Sequence, residues 1–307
     1  MERIKYIDTA KGILILMVVF LHVAYFYNTT IVGGKNELFL FLEKVSVFTF
    51  MPYFMAAFFI LNGYCSKNVR SFKESFEYGC KTLIIPVFFL NLWHQHWFCV
   101  SMFGGILIHS LLRRFSNKVN YIIYATLLLI GVTINKYGLD IFYLSYTLAY
   151  APFIFLGEKV RCIVDNNKFA IISLIICLGL WAVYYYNKQY VIPYIAGSAF
   201  RVGFKDIPVF LITTICGSSS TFLISRLLKN VDILSKIGKH SLVIYLFHFN
   251  IIMLIEPMCV PLVDNASTIE SALAFCLLYT ISLTCSYIIA IIINKNIPWL
   301  IGKNKYI

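Results

Sequence analysis

Apolar runs of about 20 residues, the length needed to cross a hydrocarbon core, recur along the whole chain, and Lys and Arg cluster in the gaps between them. Inside lipid every backbone N–H and C=O must be bonded within the chain, and helices achieve this segment by segment. The sequence therefore predicts an all-α, polytopic transmembrane helix bundle. Composition agrees: with 60% hydrophobic and 13% charged residues over 307 positions and a mean hydropathy of +0.80, there is too little polar surface to coat a water-soluble globule. No stretch is long enough for a separate soluble domain, so residues 1–307 read as a single integral-membrane domain whose main solvent is membrane lipid.

The predicted helices are 11–28, 44–64, 119–135, 140–157, 169–186, 207–228, 240–256 and 270–294, with a further apolar stretch at 83–112. If 83–112 enters the membrane and returns to the same side, the bundle has about ten segments, one pair of them shortened. That arrangement leaves only Lys35, Lys44, Lys136, Lys188, Arg201 and Lys205 on the far side and puts twenty of the 26 Lys and Arg residues on the N-terminal side. The positive-inside rule then places the N-terminus in the cytoplasm, and the expected location is a bacterial inner membrane. A single crossing would invert every later loop. Yet two full spans need about 20 residues each, and 83–112 is interrupted by Pro86, Asn91, His94, Gln95, His96, Gly104 and Gly105. Two half-helices or one long tilted helix both remain open, and the charge rule favours a re-entrant element broken near Asn91 to His96.

The net charge of +12 does not indicate a nucleic-acid partner, because the cations are scattered between spans without a basic groove or an aromatic recognition motif. Nine cysteines occur without a CxxC pair and mostly inside apolar runs, as small buried hydrophobes do. The first segment has a charged start and no small-residue cleavage site, so it is expected to be a retained helix.

Ionisable groups inside a lipid-sized helix are costly and mark functional positions. On the first span Lys11 and His22 are eleven residues apart, so they share a helix face with roughly 16 Å of rise between them. His22 is suited to proton transfer, although a hydrogen bond to a neighbouring helix is the plainer account of one buried His. Lys11 reads alternatively as an interfacial anchor. Asp8, one turn earlier, can pair with Lys11 at i,i+3. His94 and His96 point to different helix faces and gain no third ligand, so no metal site is expected. His109 and His240 sit beside Arg113 and Lys239 and read as interfacial.

The opening R3-I-K-Y-I-D8-T-A-K11-G12 to H22 resembles the start of the acyltransferase type 3 family of integral-membrane O-acyltransferases, which carries a basic residue, ten residues and then His. The fucose 4-O-acetylase-like branch looks closest. M51-P-Y-F-M-A-A-F-F-I-L-N62-G63-Y64, K67-N-V-R70, K81-T-L-I-I-P86, W97-F98, F155-L-G157 and S241-L-V-I-Y245-L-F-H248 are similar to later family patterns in the right order. Lys11 and Asn62 stand where Arg and Ser are commoner. Family members also carry two complete spans and an external loop where this chain has 83–112.

The resemblance implies transfer of an acyl group from a co-substrate, acetyl-CoA or another acyl-CoA, to a hydroxyl of a carbohydrate acceptor in an envelope polysaccharide or its precursor, with no permanently bound cofactor. His22 would be the general base, with Asn62 as oxyanion donor and Gly63 allowing close backbone approach. Lys11, Lys67 and Arg70 would meet the donor phosphates. His248, with Tyr245 one turn before it, would line the cavity or orient His22. A transporter or flippase, and a noncatalytic remnant of the family, are the alternatives.

Overall fold

The computed structural model describes residues 4–29, 36–66, 70–90, 97–159, 166–189, 191–196, 199–263 and 266–303. The chain is a helical bundle. Its helices are α1 (Lys5–Thr29), α2 (Glu37–Thr49), α3 (Phe54–Cys65), α4 (Phe72–Gly79), α5 (Ile85–Leu90), α6 (Trp97–Leu112), α7 (Asn117–Lys136), α8 (Leu144–Lys159), α9 (Asn167–Tyr186), α10 (Ile207–Leu227), α11 (Asp232–Lys239), α12 (Ser241–Val263) and α13 (Thr268–Asn296). Among the described residues six helices are long and apolar enough to cross a membrane, and the bent pair α2–α3 is a seventh candidate. The chain is a multi-pass membrane protein. Apolar side chains that water would not tolerate in such numbers stand exposed on the outward faces, Ile171, Ile172 and Ile175 on α9 and Ile269, Leu273 and Leu277 on α13 among them, where lipid is the fitting solvent.

Helix α1 is the hub, packed against α2, α3, α10, α11, α12 and α13. Two glycine pairs set how closely helices cross. A Cβ on Gly12 would lie 2.1 Å from the Leu234 carbonyl oxygen of α11, and one on Gly238 would lie 1.8 Å from that of Asp8. Likewise a Cβ on Gly63 would meet the Ile154 carbonyl oxygen at 1.9 Å, and one on Gly157 would meet that of Ile60 at 2.0 Å. Small residues of this kind let membrane helices approach at backbone contact. Thus the N62-G63-Y64 and F155-L-G157 motifs are the two halves of one crossing, α3 on α8.

The predicted span 44–64 is divided at residues 50–53, where α2 and α3 meet with a 42° bend. Breaking a helix in lipid frees backbone carbonyls. The Pro52 carbonyl accepts a hydrogen bond from Thr214 Oγ1 of α10 at 3.2 Å, so the neighbouring helix satisfies one of them. In the Ser/Thr run on α10, Ser220 and Thr221 fold back and donate to carbonyls four residues earlier at 2.8 and 3.0 Å, while the Ser218 hydroxyl is buried with no partner among the described residues. Residues 140–157 form the shorter α8, which contains Pro152. Between α9 and α10 lies a two-stranded antiparallel hairpin, β1 (Ile195–Ala196) and β2 (Ala199–Phe200), with Ile195 opposite Phe200 and Ala196 opposite Ala199. It is tied to α8 by the Tyr150 hydroxyl, which donates to the Ile195 carbonyl.

The stretch 83–112 departs from the predicted length. Its first arm begins at Phe72, not at residue 83, and runs through α4, a π-turn at Cys80–Ile84 and α5 as one continuous helical path. Residues 72–81 looked like a loop because they carry charges, but Ser71 and Glu74 form a capping box that starts a helix there. The π-turn immediately precedes Pro86, whose ring does not fit a regular α-turn. Both arms start and end on one face: Arg113 Nη2 donates to the Ser66 carbonyl and hydroxyl, both at 3.2 Å, and the Ser110 hydroxyl donates to the Arg70 carbonyl at 3.4 Å. The element returns to its own side. The break expected near Asn91 to His96 lies outside the described residues.

The glycine crossings yield a test. Gly63→Ala or Gly157→Ala drives a methyl into a backbone carbonyl, at an overpacking cost of roughly 1–3 kcal/mol or more. Gly179 on α9 meets nothing within 4 Å, so Gly179→Ala gains up to about 1 kcal/mol of helix propensity. Thermal unfolding in detergent should separate the two classes, with lower midpoints for the first pair and an unchanged or higher one for Gly179→Ala.

Candidate active site

Helix α1 carries His22 into the bundle beside His248 of α12. His22 Nδ1 lies 2.7 Å from the Val18 carbonyl oxygen and His248 Nδ1 lies 3.0 Å from that of Ile244. A nitrogen lone pair facing a carbonyl oxygen at these distances would be repulsive, so each Nδ1 carries the hydrogen and donates to the carbonyl one turn earlier. His248 Nε2 is then a lone pair, and it stands 3.3 Å from His22 Nδ1, with ring centroids 4.9 Å apart. The remaining nitrogen, His22 Nε2, has no hydrogen-bond partner among the described residues. His248 is fully buried while His22 is half-buried. The pair is buttressed by Ser282, whose hydroxyl donates to the His248 carbonyl at 3.1 Å, and by edge contacts with Phe249 and Tyr245. Tyr245 in turn packs on Phe98 at 5.1 Å, which joins the W97-F98 and Tyr245–His248 motifs in one wall.

A second polar centre lies at the basic face. Glu158, at the end of α8, accepts from Arg113 Nε at 2.9 Å, from Lys159 Nζ at 2.7 Å and from the His109 Nε2 side at 2.9 Å. His109 Nδ1 faces the Tyr124 hydroxyl at 2.9 Å. His109 lies at the basic lip, near Arg113 as expected, but it is buried within the protein, because α6 packs against α8 and both ring nitrogens have protein partners there. Beside the cluster is a cavity of about 220 Å³ whose walls include Asn62, Cys65, Arg70, Tyr78, His109 and Arg113. Arg70 lies over the Tyr78 ring at 3.8 Å. At the same face Lys5 pairs with Asp232 at 2.6 Å and holds its carboxyl below the ordinary range. His240 stays at this lip, where Asn294 Nδ2 lies 2.7 Å from its Nδ1.

The proposed constellation is thus split. His22, His248 and Tyr245 come together. Asn62 and Gly63 do not join them: the Tyr6 and Tyr64 hydroxyls meet at 2.5 Å, which fixes α3 antiparallel to α1 with Asn62 near the start of α1. His22 is sixteen residues beyond Tyr6, roughly 24 Å further along the helix. Asn62 therefore does not reach a carbonyl at His22, and Gly63 serves the crossing with α8. Lys11 is half-buried and lies outside the cavity, Arg70 lines it, and Lys67 lies outside the described residues. Asp8 is buried one turn before Lys11, at the contact with Gly238.

At the opposite face, one turn past His22, Tyr25 and Glu43 are neighbours of Tyr194, whose hydroxyl pairs with Arg201. Burial pushes the Tyr194 hydroxyl up, and the Arg201 guanidinium opposes this. The sequence reading missed this group and the Glu158 cluster alike. The only advance signal for Glu158 was a carboxylate at the end of an apolar run in a chain with just 14 acidic residues.

The family model described as an acyltransferase domain matches residues 4–94 and 88–291, two stretches that overlap at residues 88–94. No curated protein and no solved structure matches the chain.

The cluster makes a prediction of its own. Breaking a buried ion pair from one side costs about 3–5 kcal/mol; the Glu158 side chain retains 23% exposure, so Glu158→Gln should cost less, about 2 kcal/mol after screening. His109→Phe, which keeps the ring but loses both hydrogen bonds, should be destabilising as well. Denaturation in detergent checks both; unchanged midpoints would mean that the cluster is not structural.

Proposed function

Because this chain belongs to the acyltransferase type 3 family, we propose that it is an O-acyltransferase that moves an acyl group, acetyl foremost, from acyl-CoA to a sugar hydroxyl of an envelope polysaccharide or its precursor. The setting is a bacterial inner membrane with the N-terminus and the basic face in the cytoplasm. The observation that carries this reading is the His22–His248 pair, in which His22 Nε2 is left as an unengaged base while Nδ1 is already bonded.

In this scheme the acceptor oxygen attacks the thioester carbonyl carbon as its proton passes to His22 Nε2. The resulting imidazolium is steadied through Nδ1–H, which has the Val18 carbonyl and His248 Nε2 as acceptors, in the way a third group steadies the base of a nucleophile–base pair. Collapse of the adduct breaks the C–S bond, and the CoA sulfur takes the proton back from Nε2. His248 is a positioning residue here. The donor enters from the basic face, where Lys11, Lys67 and Arg70 offer charge to its phosphates, and its pantetheine arm extends along the Phe98–Tyr245 wall. The acceptor approaches from the opposite face past Tyr25, Glu43, Tyr194 and Arg201.

His22→Ala should lower acyl transfer by about 10³-fold while membrane abundance stays normal, and His248→Ala by about 10²-fold, within the range of positioned proton transfer. The assay is release of CoA thiol by the reconstituted protein, together with mass spectrometry of envelope glycans from cells with and without the gene. Full activity in His22→Ala sinks the mechanism, and substrate uptake without CoA release would make the protein a transporter.

Lys11→Ala, and separately the double change Lys67→Ala with Arg70→Ala, should raise KM for acyl-CoA and flatten its salt dependence. Unchanged donor kinetics in both would reduce these cations to topology signals.

A further inference from the structure

The cavity at the basic face lies among α3, α4, α6 and α8, and its lining contains two guanidinium groups, Arg70 and Arg113, an imidazole, His109, and the hydroxyls of Ser66, Ser75 and Ser110, with no carboxylate among the described residues. Glu158 stands behind Arg113, where it holds Nε and Nη2 at 2.9 and 2.8 Å. The guanidinium is therefore oriented, and Lys159 at 2.7 Å from the other carboxylate oxygen offsets the charge that Glu158 would otherwise cancel. A guanidinium fixed by its own counter-ion, beside a second one that lies over the Tyr78 ring and ringed by hydroxyls, makes a receptor for a phosphate ester. At about 220 Å³ the space is smaller than pockets that enclose a whole drug-sized ligand, so it fits the charged end of a longer molecule.

We propose that this cavity is the phosphate pocket of the donor: Arg113 joins Arg70 as a direct ligand of an acyl-CoA phosphate group, and Glu158 and His109 are positioning residues that hold Arg113 in place. The inference rests on the acyl-CoA reading above and adds to it residues that lie outside its motifs. It adds an anchoring point separate from Lys11, which does not border the cavity.

Native Cys65 supplies the reporter, since it is an exposed thiol on the cavity wall, and Cys276 on α13 is an exposed thiol elsewhere. The full-length protein in detergent is treated with N-ethylmaleimide with or without coenzyme A, and each cysteine peptide is quantified by mass spectrometry. With coenzyme A at ten times its Kd, alkylation of Cys65 should slow about 10-fold while that of Cys276 does not change. Arg113→Gln should weaken coenzyme A binding by roughly 10- to 100-fold, the range for one charge-assisted contact, and abolish the protection. Glu158→Gln should weaken it less, with recovery in Glu158→Asp. Ser110→Phe fills the cavity without removing an ion pair, so it tests the site even if the charge variants fold poorly, and it too should lose protection. Calorimetric binding of coenzyme A with no effect on Cys65, or wild-type protection in Ser110→Phe, overturns the pocket and leaves the donor reading intact. Failure of the wild-type protein to bind coenzyme A at all overturns the donor reading itself.

Discussion

Water is absent from the hydrocarbon region, so a polar atom there is stabilised by a partner in the chain, and much of the arrangement of this bundle follows from how such atoms are served. Thr214 crosses from α10 to the carbonyl freed at Pro52, Ser220 and Thr221 turn back on their own helix, and both His22 and His248 spend Nδ1–H on the carbonyl one turn earlier. His22 Nε2 has no hydrogen-bond partner among the described residues, as is also true of the buried hydroxyls of Ser101, Ser145 and Ser218, but it alone of these atoms is an imidazole nitrogen beside a second histidine. In the proposed reaction that nitrogen is the base, whereas His248, with both nitrogens engaged and no exposure, fits the support of its neighbour.

The two polar centres lie at different depths, and the helix register sets the separation. Tyr6 touches Tyr64 at the basic face, while Phe20 meets Phe50 at 6.1 Å near the break between α2 and α3, so α1 and α3 run antiparallel over most of the membrane. The ion cluster of Arg113, Glu158 and Lys159 therefore occupies the lip where solvated charge is inexpensive, and the uncharged histidine pair occupies the interior. The proposed donor, with a polyanionic head and a long neutral arm, would match that division: its phosphates would lie where cations are tolerated, and its thioester where water is scarce and a single base can act.

Much of this was legible in the sequence because span length and one-sided charge are properties of contiguous residues. Seven of the predicted spans appear as helices at nearly the expected positions, and 44–64 appears as the bent pair. The failure at 72–81 has a physical source. Lys73, Glu74 and Glu77 mark a polar loop to any hydropathy argument, but on an amphipathic helix at the lip they face outward while Ser75 and Gly79 face in. Pairings across the bundle were illegible for a different reason. His109 and Glu158 are 49 residues apart and Arg113 and Glu158 are 45 apart, and no periodicity links such positions.

The motifs that suggested a family separate, once folded, into residues that set distance and residues that carry chemistry. Gly12, Gly63, Gly157 and Gly238 belong to the first kind: each replaces a side chain by backbone contact, and together they fix α1 on α11 and α3 on α8. Lys11 and Asn62 are neighbours of those glycines, so their presence in the motifs follows in part from the crossings beside them. Asn62, half-buried on the wall of the lip cavity, does not reach an oxyanion at His22, since one side chain does not span the intervening helical rise. Position along the membrane normal, which a motif does not encode, is what divides the roles.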